Sequence, residues 1–112
     1  MFVTIDELRH RVTVERAVTA LDDAGNLITT EWQPVFTVWA KMLPYSAIIK
    51  DGATEQAPEV GYRIAMRYRT DLLTTDRLRW QGKTLLLVAP PYAKDGKREY
   101  LILEAKELVE DG

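Results

Sequence analysis

"YRIAMRYR", residues Tyr62–Arg69, places Tyr62, Ile64, Met66 and Tyr68 on one parity and Arg63, Arg67 and Arg69 on the other. Successive side chains of a strand point to opposite faces, so the stretch reads as a half-buried strand with a cationic outer face. That face suits nucleic acid, another protein or plain solvent, and the rest of the chain has to decide between them.

Working outward, the same grammar recurs. "RHRVTVERAV" sets Val12 and Val14, with His10, on one parity and Arg11, Thr13 and Glu15 on the other. "LDDAGNLI" supplies Asp22, Asp23, Gly25 and Asn26 as turn residues. "PVFTVWAKM" is a β-branched and aromatic run with Pro34 at its start, where a missing N–H is tolerated. "DRLRWQGKTLLLV" reads as a hairpin about Gln81-Gly82, with "TLLLV" buried on both faces, and Asp95-Gly96 marks a second hairpin leading into "REYLILEAKEL". Thr4 and Glu7 match a capping box for one helical turn, and Leu101, Leu103 and Ala105 make the start of the C-terminal segment a strand. The fold class is mainly all-β: a small antiparallel β-barrel with a long inserted loop and little helix. Its expected interior holds Val12, Val14, Val38, Ile64, Met66, Leu86 and Val88.

The chain's 112 residues are enough for one domain, 1–112, and too few for two. With 46% hydrophobic and 29% charged residues the composition is globular. A net charge of -2 argues against a dedicated tight binder of DNA or of anionic membrane. No cysteine is present, which removes disulfides, thiolate nucleophiles and cysteine–zinc sites. No run approaches the roughly 18 apolar residues of a membrane span, and "MFVTIDELRHR" lacks the cationic head of a signal peptide. A soluble intracellular product is the expectation.

From Pro44 to Gly61, "PYSAIIKDGATEQAPEVG" breaks the strand rhythm. A connection this long inside a small domain is either functional or a floppy surface excursion. Elsewhere, chemistry is scarce. His10 is the sole histidine and Ser46 the sole serine, whose "YSAI" context is no nucleophile elbow. Asp22, Asp23 and Asn26 lack the alternation and terminal glutamate of a calcium loop, so a turn is the better reading. The glycines are dispersed, leaving no phosphate cradle. Trp32, Trp39 and Trp80, with Tyr62, Tyr68 and Tyr100, could stack bases, but most sit at core parity. No enzyme, cofactor or metal is expected.

The order "LRHRVTVER", "DDAGNLITTEW", "VFTVWAKMLPYS", a loop, "YRIAMRYR", "DRLRWQGKTLLLV" and "KREYLILEAKE" resembles the head–tail joining proteins of tailed bacteriophages and prophages, also called head-closure, stopper or head-completion proteins. The most telling pieces are "HRVTVER", Trp39-Ala40 ahead of a proline, "RYR", and Arg79-Trp80 followed by Gly82. The resemblance implies a small barrel whose copies form a ring, typically twelve-fold in the virion, though the protein alone is compatible with a monomer. That ring lies under the portal or its adaptor ring, with packaged DNA passing through without tight binding and no membrane involved. It closes the DNA-filled head and offers a docking surface to a tail-terminator or tail-completion protein. The location implied is the virion neck, after assembly in the host cytoplasm. The inserted loop, 44–61, would carry a channel role through Ile48, Ile49, Lys50, Asp51 and Glu55.

If "YRIAMRYR" pairs with "DRLRW", Arg63, Arg67, Arg69, Arg77 and Arg79 cluster on one face as a docking surface for acidic groups of a neighbour. A solvated outer face is the plain alternative for these arginines. The alternative for the whole chain is a small β-barrel that binds nucleic acid through its arginines and aromatics.

Overall fold

Seven strands make up the regular structure of the computed structural model, which describes residues 3–47 and 59–108. They are β1 (His10–Leu21), β2 (Leu27–Ala47), β3 (Glu59–Arg67), β4 (Arg77–Trp80), β5 (Lys83–Leu87), β6 (Tyr92–Ala93) and β7 (Tyr100–Glu107). Six of them close on themselves in the order β3-β2-β1-β4-β5-β7, with β7 pairing back to β3, and β6 extends the β7 edge. Every pairing is antiparallel. Closure matters because it removes the unpaired edges that invite aggregation. Helical structure among the described residues is confined to 3-10 turns at Ile5–Glu7 and Lys94–Gly96.

Local chemistry explains the connections. Between β1 and β2, the Asp22 carboxylate accepts from the backbone N–H of Ala24 and of Asn26, at 2.9 and 2.8 Å, an Asx-type turn completed by Gly25 at φ 85°. Between β4 and β5, Gln81 and Gly82 both take positive φ, 49° and 76°, and Trp80 faces Lys83. That is the two-residue turn whose twist matches its strands. Asp95-Gly96 also takes positive φ, but as part of a 3-10 turn rather than a tight hairpin. At the N-terminus, Thr4 donates its backbone N–H to Glu7 Oε1 at 3.1 Å, as the capping pattern predicts.

The ring's interior is the core. Val12, Val14, Ala40, Ile64, Met66, Leu78, Leu85 and Leu103 have no solvent exposure there, with Met42, Tyr62 and Leu101 beside them. Each fully buried aliphatic chain contributes on the order of 1.5–3 kcal/mol. Val38 is half-buried and packs against this cluster. Two expected core members are not in it: Leu86 is half-buried and Val88 is 51% exposed. The cause is the Gln81-Gly82 turn, which fixes the register so that Leu85, not Leu86, faces inward-pointing Leu78. The outer face of β3 is also drier than alternation implies. Ala65 is buried there, flanked in register by the longer side chains of Lys41 and Ile102.

A buried polar node braces the ring. Asp76 is 2% exposed and takes both ends of the Arg16 guanidinium fork at 2.9 Å, plus the backbone N–H of Leu73 at 2.9 Å. The hydrogen bond from Arg16 to Asp76 holds that guanidinium charged, its pKa raised further above the ordinary arginine value. This fastens β1 to the approach of β4.

Strand pairing runs further into the predicted loop than expected. Pro44–Ala47 pairs with Glu59–Tyr62, so β2 and β3 continue as a ribbon on both sides of 48–58. Ile48, Ile49, Lys50, Asp51 and Glu55, for which a channel role was expected, lie outside the described residues.

Candidate docking surfaces

The arginine cluster expected from a β3–β4 pair does not form, because that pair does not exist. β3 lies between β2 and β7, and β4 between β1 and β5. In the closed ring they are three strands apart in either direction. Arg63 and Arg67, on β3, therefore stand across the barrel-like ring from Arg77 and Arg79 on β4, while Arg69 lies beyond the end of β3 over Phe36 of β2.

Most of these charges are compensated within the chain. Arg63 Nη2 meets Glu104 Oε1 at 3.2 Å across the β3–β7 ladder. Arg69 grips Asp71 with two hydrogen bonds of 2.8 and 2.7 Å and lies over the Phe36 ring, 3.7 Å from its centroid. The hydrogen bonds from Arg69 hold the Asp71 carboxyl below the usual carboxylate range and raise Arg69 in turn. Arg77 Nε donates to Glu15 Oε1 at 2.8 Å, and its guanidinium covers Trp32 at 4.3 Å. Arg79 hydrogen-bonds the Thr84 hydroxyl. Arg67, at the end of β3, is exposed and forms no ion pair among the described residues.

Arg67 also lines an open groove of about 980 Å³. Its floor is apolar: Ile5 and Leu8 from the N-terminal turn, Val38 and Trp39 from β2, and Tyr68 after β3. Arg9, Arg67 and Arg69 stand along it against one acid, Asp71. Trp39 is 50% exposed and carries Arg11 over its ring at 4.7 Å. This tryptophan points outward, whereas Trp80 points inward at the end of the ring. There it meets His10 and Tyr62 edge-on, at 5.3 and 5.4 Å. His10 thus packs against an aromatic ring. The groove's residues come from three separate segments, so no spacing in the sequence announces it.

A second exposed feature is the far end of the β1–β2 hairpin. β4 pairs with β1 only at Thr13–Glu15, and β3 pairs with β2 only from Ala40 onward. Beyond Arg16 the hairpin is a two-stranded ribbon whose outer edges pair with no other strand among the described residues. Leu21 and Leu27 face each other near its tip at 69% and 70% exposure, and Ile28 is exposed on the other face.

Among the described residues no three His, Asp or Glu side chains form a group able to hold a metal, and no helix is long and apolar enough to cross a membrane.

Solved structures with a similar architecture include the following three. A chain in the virion of a native gene transfer agent particle superposes with a TM-score of 0.71 at 21% identity, over 91% of this chain and 96% of that one. The solution structure of protein SF1141 from Shigella flexneri 2a gives 0.69 at 25% identity, over 97% and 100%. The phage-like element PBSX protein xkdH from Bacillus subtilis gives 0.53 at 12% identity, over 88% and 92%. No curated protein matches by sequence. The family model for phage head completion proteins matches residues 3–108, nearly all of the chain, and the chain belongs to that family.

Proposed function

We propose that this chain is the structural joiner that completes the packaged head of a tailed phage. Copies assemble as a ring beneath the portal or its adaptor ring, close the DNA-filled head, and present the surface on which a tail-terminator or tail-completion protein docks. Its place is the virion neck. The observation that carries this reading is the family match over residues 3–108. Two features of the fold support it. A closed sheet is a rigid building block, with few free backbone edges to mispair during assembly. Arg63, Arg69 and Arg77 are engaged by Glu104, Asp71 and Glu15, which favours a conduit wall that lets DNA pass without a tight grip. The role is one of assembly and needs no catalytic group.

The test is removal of the coding sequence from the phage or prophage that carries it, followed by electron microscopy of the particles. The reading expects heads that package and then lose DNA, alongside complete but unattached tails. Normal tailed particles from the deletion strain would refute it. In parallel, the purified protein should show no appreciable affinity for duplex DNA at physiological salt. Tight, salt-dependent binding would point instead to a nucleic-acid module.

A further inference from the structure

The two exposed features described above are complementary, and they lie too far apart to meet within one molecule. From Ala17 to Ala40 the hairpin carries Asp22, Asp23 and Glu31 and not a single Lys, Arg or His. Its tip presents the exposed Leu21–Leu27 pair beside those acids. The groove has the opposite character, an apolar floor of Leu8, Val38 and Trp39 under three arginines and one aspartate. Leu27 and Trp39 lie on the same strand, β2. At about 3.3 Å per residue their separation along it is roughly 40 Å, comparable with the molecule's longest dimension of 48 Å. The strand that carries both features therefore holds the tip away from its own groove.

We infer that the groove receives the β1–β2 hairpin tip of a second copy of this chain. The leucine pair covers the apolar floor around Trp39, and Asp23 and Glu31 approach Arg67 and Arg9. Arg67 is the pivotal cation because Arg69 is already committed to Asp71. A contact between two different patches is head-to-tail, and repetition gives a ring when the rotation between copies closes. The same contact covers a part of the hairpin that would otherwise be an isolated two-stranded ribbon, a form marginally stable in water. The inference rests on the reading that copies assemble as a ring, and it names the surfaces that would build it.

The absence of native cysteine allows a direct test in the full-length protein. One preparation carries Ala24→Cys at the tip, a second Thr37→Cys in the groove, and a third Lys97→Cys as a control outside the groove. All three positions are exposed. Tip and groove proteins are mixed at millimolar concentration and treated with a short flexible bis-maleimide. The tip–groove product should exceed the tip–control product about ten-fold, because docking raises the local concentration of the two thiols. Adding Leu27→Glu to the tip protein, or Arg67→Glu to the groove protein, should return the yield to the control level. Equal yields with groove and control, or a tip–groove yield that survives both substitutions, overturns the inference. The joining role is read separately, from the particles of the deletion strain. Unattached tails with unselective cross-linking would retire this contact and leave the joining role standing. Selective cross-linking with normal deletion particles would do the reverse.

Discussion

Truncating Ile64 to alanine tests the core through the strand that defines it. Ile64 has no solvent exposure, and Met42 and Leu103 flank it in register on the two neighbouring strands. The change removes three carbons. At about 0.8 kcal/mol for each buried carbon the transfer cost alone is roughly 2.4 kcal/mol. A closed ring of paired strands has little freedom to collapse onto the vacated space, so a cavity cost adds to it and brings the total to about 3–4 kcal/mol. That is a large share of the roughly 5–15 kcal/mol available to a domain. Leu27→Ala removes the same number of carbons from a side chain that is 70% exposed. Scaled by the buried fraction, it should cost below about 1 kcal/mol. Guanidinium titrations followed by tryptophan fluorescence compare the two, with an unchanged denaturant slope showing that the unfolding reaction is the same. Equal losses at the two sites, or a loss below about 1 kcal/mol at Ile64, would refute the assignment of that face to the ring interior.

Other outcomes follow from the same contacts. Leu85→Ala should lower the denaturation midpoint far more than Leu86→Ala, because only Leu85 faces Leu78 inside the ring. Asp76→Asn should destabilise the protein more than Asp71→Asn, since Asp76 is buried and accepts from Arg16 and Leu73 while Asp71 is exposed; matched titrations decide it. Glu7, Asp71 and Asp95 have pKa values lowered by hydrogen bonds from Lys41, Arg69 and Lys94 respectively. Their stabilising contribution is present above the unfolded carboxylate values of about 4 and is lost as pH falls through the lowered folded values. The midpoint should drop on acidification below about pH 4, and high salt should shrink that drop because the pairs are open to solvent on one side. Arg69→Ala should remove the Asp71 part of the effect.

The sequence was most legible where two local signals agreed. In Tyr62–Arg69, alternation alone places Tyr62, Ile64 and Met66 in the interior, as the structure has them. Gln81-Gly82 names its own turn. "TLLLV" carries no alternation, so it cannot reveal its inward face by itself; the turn beside it does, through the Leu78–Leu85 register. Strand order was beyond reach of such reasoning. β3 and β4 are consecutive in the sequence, yet β3 is claimed by β2 and β7, and β4 by β1 and β5. Long-range pairing is decided by closure of the whole ring, and the arginine face expected from a local pair fell with it. Asp76 and Arg16 stand sixty residues apart, and no local pattern couples them. The groove was hidden for the same reason, since Leu8, Trp39 and Arg67 meet only after closure. The acid-only composition of residues 17–40 was there to be read, but it acquires meaning only beside a cationic groove.

The most direct measurement of the central claim is a cryo-electron microscopy reconstruction of the neck of the phage particle that encodes this chain. Density between portal and tail should accommodate copies of the closed six-strand ring, arranged about the channel axis. A neck fully explained by other proteins, with this chain missing from purified virions, would contradict it.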